Sequence, residues 1–200
     1  FKNNGNSTTQ NAFLNLNYGS RVSNSTFDSN NGYISLSNRD IVIDANKFFN
    51  NKFGASNVNY LFQGWVGKFT ISNNLFVQNG SLSKDNWGGT VSSIINTGGW
   101  DDTTFIVNNT FLNNNANAIQ FAMNNNRKSV VLNNLIFNPA GDFNFQKPQY
   151  STTDIPGATL IYANTISQDI SAYNNYKTFS VKADNNITLP VIGMIDNSTY

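Results

Sequence analysis

Apolar positions along this chain come in short alternating bursts, each broken by asparagine. Val22-Ser23-Asn24-Ser25-Thr26-Phe27 sets the pattern: an aliphatic residue, a spacer, asparagine, further spacers, then a large apolar residue. It returns as Ile71-Ser72-Asn73-Asn74-Leu75-Phe76, Ile106-Val107-Asn108-Asn109-Thr110-Phe111 and Val131-Leu132-Asn133-Asn134-Leu135-Ile136. Three copies run on to an asparagine three residues after the aromatic, at Asn30, Asn79 and Asn114. Phe1-Lys2-Asn3-Asn4 is the second half of the same phrase. Ile43-Asp44-Ala45-Asn46-Lys47-Phe48-Phe49 reads as a weaker copy with one residue inserted. A unit this short cannot bury its own apolar side, so successive units are expected to stack.

The anchors Phe1, Phe27, Phe48 or Phe49, Phe76, Phe111 and Ile136 are separated by 26 residues, 49 over two units, 35 and 25. A unit of about 25 residues, with about ten inserted between Gly80 and Thr103, accounts for every interval. Phe69-Thr70-Ile71, Thr104-Phe105-Ile106-Val107 and Ser129-Val130-Val131-Leu132 are predicted strands bounded by turn residues. No stretch carries apolar residues at helical spacing over three turns, and a propeller blade needs about 40 residues. The expectation is an all-β fold: a right-handed parallel β-helix of about 25-residue rungs over residues 1–137. A β-sandwich and a disordered asparagine-rich tract are its rivals. Residues 138–200 are expected to hold a long loop marked by Pro139, Pro148 and Pro156, then a return strand at Ala158–Tyr162. Beyond it the reading expects one or more last rungs, or a cap leading to a following segment.

Rungs about 4.8 Å apart would set equivalent residues directly over one another. Phe27, Phe76 and Phe111 are then expected to form an inward column, each ring contributing about 1.5–3 kcal/mol by burial. Asn73, Asn108 and Asn133 are expected to form a structural ladder. Asparagine tolerates left-handed backbone angles, and its amide can donate to the next rung at a turn that no sheet ladder reaches.

Composition narrows the chemistry. The chain is 39% hydrophobic and 14% aromatic with 12% charged residues, enough apolar material for a core. It has no Cys, His or Glu, and its eleven Asp nearly balance twelve Lys and Arg. A net charge of +1 gives no electrostatic footprint for nucleic acid or acidic lipid. With no apolar run of 18 residues, no membrane span is expected in this segment. Opening on half a unit and without a signal peptide, the chain is expected to be a piece of a longer protein. Without His or Cys there is no serine–histidine triad, cysteine nucleophile or ordinary zinc site, and no Gly-rich phosphate cradle occurs. No cofactor or metal is expected.

Asp-based or calcium-assisted attack on polysaccharide remains open, but no acidic column follows the anchors: Lys2, Asp28, Val77, Leu112 and Phe137 come next to them. The paired acids Asp101 and Asp102 point to opposite faces if they lie on a strand; in a turn they could bind calcium or act as acid and base. A solvated turn after Trp100 is the plainer reading. No residue is assigned a catalytic role. Trp87, Trp100, Asp101 and Asp102 are the binding candidates, since loops on a rigid scaffold commonly carry function and tryptophan stacks on sugar rings. Packing of both tryptophans back over the coil is the competing role. Six Asn-x-Ser/Thr acceptor sequences occur, whereas 39 Asn and 35 Ser or Thr in 200 residues give about seven by chance, so the count carries nothing. Asn24 and Asn108 fall on the expected ladder, where a glycan would not fit; Asn6, Asn79, Asn186 and Asn197 remain as glycosylation candidates.

Asn74-Leu75-Phe76-Val77-Gln78-Asn79 and Asn109-Thr110-Phe111-Leu112-Asn113-Asn114 resemble the Phe-x-x-Asn repeats of β-helical surface adhesins. Gly88-Gly89-Thr90-Val91 and Ala116-Asn117-Ala118-Ile119 are similar to the Gly-Gly-Ala-Ile half of that repeat. Over residues 1–137 the chain resembles the adhesin-like surface proteins of methanogenic archaea and, more distantly, the polymorphic outer-membrane adhesins of chlamydiae. It departs from them in a shortened Gly-Gly element and in the unit around Phe48. The resemblance implies a secreted or cell-surface protein of attachment or envelope structure, and carries over no catalytic residue. The expected function is a non-enzymatic segment of a large extracellular surface protein. Its partners would be a surface glycan, a protein receptor or neighbouring envelope subunits. The alternatives are a polysaccharide lyase or hydrolase using Asp101 or Asp102, and a fibre or sheath subunit joined through unpaired terminal rungs.

Overall fold

The computed structural model describes residues 1–5, 11–53, 60–64, 67–80, 92–96, 103–122, 128–138, 143–146, 159–163, 166–167, 180–184 and 187–188. Its strands recur in threes. The first coil holds β1 (Ala12–Leu16), β2 (Arg21–Ser23) and β3 (Thr26–Asp28); the second holds β4 (Tyr33–Leu36), β5 (Ile41–Asp44) and β6 (Lys47–Phe49). Next come β7 (Tyr60–Gly64), β8 (Phe69–Ser72) and β9 (Leu75–Val77), then β10 (Ser93–Asn96), β11 (Thr103–Val107) and β12 (Thr110–Leu112). β13 (Asn117–Ala122), β14 (Lys128–Leu132) and β15 (Leu135–Phe137) form the fifth coil. β16 (Phe143–Gln146), β17 (Thr159–Ala163), β18 (Ile166–Ser167), β19 (Ser180–Asp184) and β20 (Ile187–Thr188) follow.

Each coil gives one strand to each of three parallel sheets. Sheet I runs β1-β4-β7-β10-β13-β16, sheet II β2-β5-β8-β11-β14-β17-β19 and sheet III β3-β6-β9-β12-β15-β18-β20. Three parallel sheets wound from consecutive coils make a parallel β-helix. Stacking continues past residue 137: β16 extends sheet I, and β17, over the expected return strand, extends sheet II.

The corners explain the asparagines. Two residues join sheet II to sheet III, and the first of them is left-handed: Asn24, Ala45, Asn73, Asn108 and Asn133 have φ of 53–57°. The corner after sheet III repeats the device with Asn3, Ser29, Asn50, Gln78 and Asn113 at φ 51–56°. A left-handed residue turns the strand sharply, and asparagine meets that demand at least steric cost after glycine. Gly80, at φ +93°, then leads the chain away from the second corner; a Cβ there would sit 2.7 Å from the Ala116 Cβ.

Apart from exposed Asn4 and half-buried Ser25, the residue after each of these left-handed positions turns inward. Asn46, Asn74, Asn109 and Asn134 make one buried ladder; Asn30, Asn51, Asn79, Asn114 and Asn138 make a second. Asn79 shows the bonding. Its Oδ1 accepts the Asn51 backbone N–H at 3.1 Å and the Asn51 Nδ2 at 2.8 Å, and its Nδ2 donates to Phe48 O at 2.9 Å and Asn114 Oδ1 at 3.0 Å. The ladder expected at Asn73, Asn108 and Asn133 thus runs one residue later. Those three are exposed, because a left-handed corner residue carries its side chain outward. The unit around Phe48 contains no inserted residue either: Ala45 holds the left-handed place, Asn46 the ladder place, and Phe48 pairs with Phe27 and Phe76.

Between the ladders runs an aromatic column. Phe1, Phe27, Phe48, Phe76 and Phe111 stack with centroids 4.7–4.9 Å apart and planes within 7–11° of parallel, and Ile136 continues in register. That distance is the strand spacing itself. Phe62 of sheet I meets Phe48 and Phe76 edge-on at 5.3 and 5.9 Å. Ile43, Ile71, Ile106 and Val131 fill the core from sheet II. Measured between ladder residues, successive coils span 21, 28, 35 and 25 residues. The coil therefore keeps its register while its length varies.

Candidate functional site

Each three-residue strand of sheet III sends its middle side chain inward, so its outer two face away from the core. One outward row reads Asp28, Phe49, Val77, Leu112, Phe137; the other reads Thr26, Lys47, Leu75, Thr110, Leu135. From β9 to β15 all six outward residues are uncharged and half-buried. Exposed Asn73, Asn108 and Asn133 border this strip along the corner with sheet II, and Asn50 and Gln78 border its other edge. Around the first corner, Val107 and Leu132 continue the apolar surface on sheet II. The result is an apolar floor with amide rims, repeating at each rung. Such a surface offers van der Waals contact and neutral hydrogen bonding, and it presents no acid–base pair.

Charge gathers on the first coils instead. Lys2 pairs with Asp28 at 3.3 Å, and Arg21 with Asp44 at 3.0 Å. The Ser29 hydroxyl above all, with Lys2 and Asn50, holds the Asp28 carboxyl below its usual value, although desolvation pulls the other way. Asn73 and Ser72, both one rung on, do the same for Asp44, with Arg21 adding to them. Carboxyls depressed in the fold stabilise it fully above the unfolded value, and that contribution disappears as pH falls below about 4. The denaturation midpoint is expected to drop as pH falls below about 4. The double variant Asp28→Asn/Asp44→Asn is expected to drop less steeply; parallel profiles would contradict this. Solvent exposure of the cationic partners Lys2 and Arg21 keeps the effect small.

Phe27, Phe76 and Phe111 share one column. Trp87, Trp100, Asp101, Asp102, Asn6, Asn186 and Asn197 lie outside the described residues. Asn79 is corrected: it is 0% exposed and its amide is committed to the ladder, which leaves no room for a glycan. Asn24 and Asn108, set aside on the sequence as ladder members, are exposed corner residues instead. Of the outward rows of sheet III, the one through Asp28, Val77, Leu112 and Phe137 is legible in the sequence as a column without acids, and the one through Leu75, Thr110 and Leu135 is contained in the same alternation. Among the described residues no group of three or more His, Cys, Asp or Glu is placed to hold a metal ion. No helix among them is long and apolar enough to cross a membrane. No family model, curated protein or solved structure matches the chain.

Proposed function

We propose that this chain is a non-enzymatic, rod-forming segment of a large extracellular surface protein, serving adhesion or envelope structure. One observation carries the reading. Two amide ladders and an aromatic column hold register through coils of 21 to 35 residues. A scaffold that adds about 4.8 Å of length per coil, whatever the coil's size, extends outward and carries loops of any length. The uncharged outward strip of sheet III supplies a lateral surface for a neutral surface glycan, a receptor or a neighbouring envelope subunit. The adhesin-like repeat pattern of residues 1–137 supports the same role.

The test is retention. Beads coated with the purified chain are expected to hold envelope fragments from its own cells, leaving the bound polysaccharide at its original chain length. New reducing ends or unsaturated sugars in the supernatant would contradict the non-enzymatic role; no retention over uncoated beads would contradict the adhesive one.

A further inference from the structure

The fold separates the acceptor sequences that fall on described residues into two kinds. Asn79-Gly80-Ser81 begins on a ladder residue, with both amide donors used inside the coil. Asn24-Ser25-Thr26 and Asn108-Asn109-Thr110 begin on exposed left-handed corner residues of the first and fourth coils. Register then places the hydroxyl residue two positions on at the start of β3 or β12, on the outward row of sheet III. Asparagine and threonine thus both stand on the outside of one sharp turn. The backbone N–H of each asparagine is bonded, to Asp44 O for Asn24 and to Leu132 O for Asn108, while the residue itself stands exposed.

We infer that Asn24 and Asn108 are N-linked glycan acceptors, an inference that rests on the surface role proposed above. The amide Nδ2 attacks the anomeric carbon of a lipid phosphate- or pyrophosphate-linked saccharide. A nitrogen–carbon bond forms, the anomeric carbon–oxygen bond to phosphate breaks, the lipid phosphate leaves and the amide proton goes to solvent. No redox partner is needed. The placement also gives the modification a use. Asn108 lies among half-buried Val107, Leu132, Leu75 and Leu135, so a saccharide there would cover apolar surface. Asn73 and Asn133 occupy the same corner in neighbouring coils but are followed two residues later by Leu75 and Leu135, and so are not acceptors.

The experiment is peptide mass spectrometry on the protein isolated from its own cells, combined with surface fractionation. Saccharide on Asn24 and Asn108, with Asn79 bare, is the expected result. A surface-located protein bare at both positions overturns the inference and spares the surface role. An intracellular protein overturns the surface role and the inference with it. A secreted recombinant chain carrying Leu135→Thr adds a positive control of the corner geometry, because Thr110 already occupies that row one coil earlier. Asn133 is expected to gain one saccharide, and failure to do so counts against the corner as an acceptor. Saccharide on Asn79 in folded, soluble chains would also overturn the inference, since a chain modified there cannot close its ladder.

Discussion

Replacing Asn79 by alanine is expected to lower the stability of the coil by on the order of 4 kcal/mol, a large effect for one exchange. The substitution strands two buried donor hydrogens, the Asn51 backbone N–H and the Asn51 Nδ2 hydrogen not bonded to Phe27 O, and takes one of its donors from the Phe48 carbonyl. Each unsatisfied buried group costs about 1–3 kcal/mol. Asn108→Ala, at an exposed corner of the kind Ala45 already fills, is expected to cost about 1 kcal/mol or less. Asn79→Asp separates shape from bonding. The carboxylate is nearly isosteric but has no donor for Phe48 O or Asn114 Oδ1, and burial raises its pKa in the folded state. A group whose pKa is raised in the fold costs least below its unfolded value of about 3.9, and its penalty grows as pH rises. This variant is therefore expected to regain stability between pH 7 and pH 4, a range over which the parent keeps the contribution of its depressed carboxyls. Denaturant titrations at pH 7 and pH 4 measure both, and equal losses for Asn79→Ala and Asn108→Ala would contradict the ladder.

Phe76→Ala is the second large effect, expected at about 3–5 kcal/mol. Phe76 is fully buried, stacked on Phe48 at 4.9 Å and Phe111 at 4.7 Å, and touched edge-on by Phe62. Its removal opens a gap in mid-column that sheets locked by their ladders cannot close. Phe76→Leu is expected to cost far less, about 1–2 kcal/mol, because Ile136 shows an aliphatic residue filling the same place. Phe1, 57% exposed and stacked on one side only, provides the contrast: Phe1→Ala is expected to change little. A Phe76→Ala midpoint matching that of Phe1→Ala would rule out a continuous column.

Sheet III was legible in the sequence because its strands from β3 to β15 are short, equal in length and preceded by the same left-handed corner. That is why Phe27, Phe76 and Phe111 could be placed on one axis. The ladder position was not legible. In Asn73-Asn74 the two residues are chemically identical, and only backbone handedness tells the outward one from the inward one. The single-asparagine units point both ways, since Asn24-Ser25 keeps the first asparagine and Ala45-Asn46 keeps the second. The same ambiguity reversed the reading of the glycan acceptors, excluding exposed Asn24 and Asn108 while admitting buried Asn79. Sheet I carries no phrase that recurs from coil to coil as that of sheet III does. Ile34, Phe62, Ile95 and Ile119 lie in register there, yet the segments leading to them differ in length, so no fixed interval marks them. Of the outward strip of sheet III, the row of Val77, Leu112 and Phe137 was legible as one without acids, whereas its union with Leu75, Thr110 and Leu135 into a surface emerges only once the coils are stacked.

Exchange of side-chain amide protons, followed by nuclear magnetic resonance, probes the stacked-rung architecture at single residues. Protected Nδ2 protons on Asn74, Asn79, Asn109 and Asn114, beside fast exchange on Asn108 and Asn133, would match two buried amide ladders. Fast exchange throughout, or protection on the corner residues instead, would contradict them.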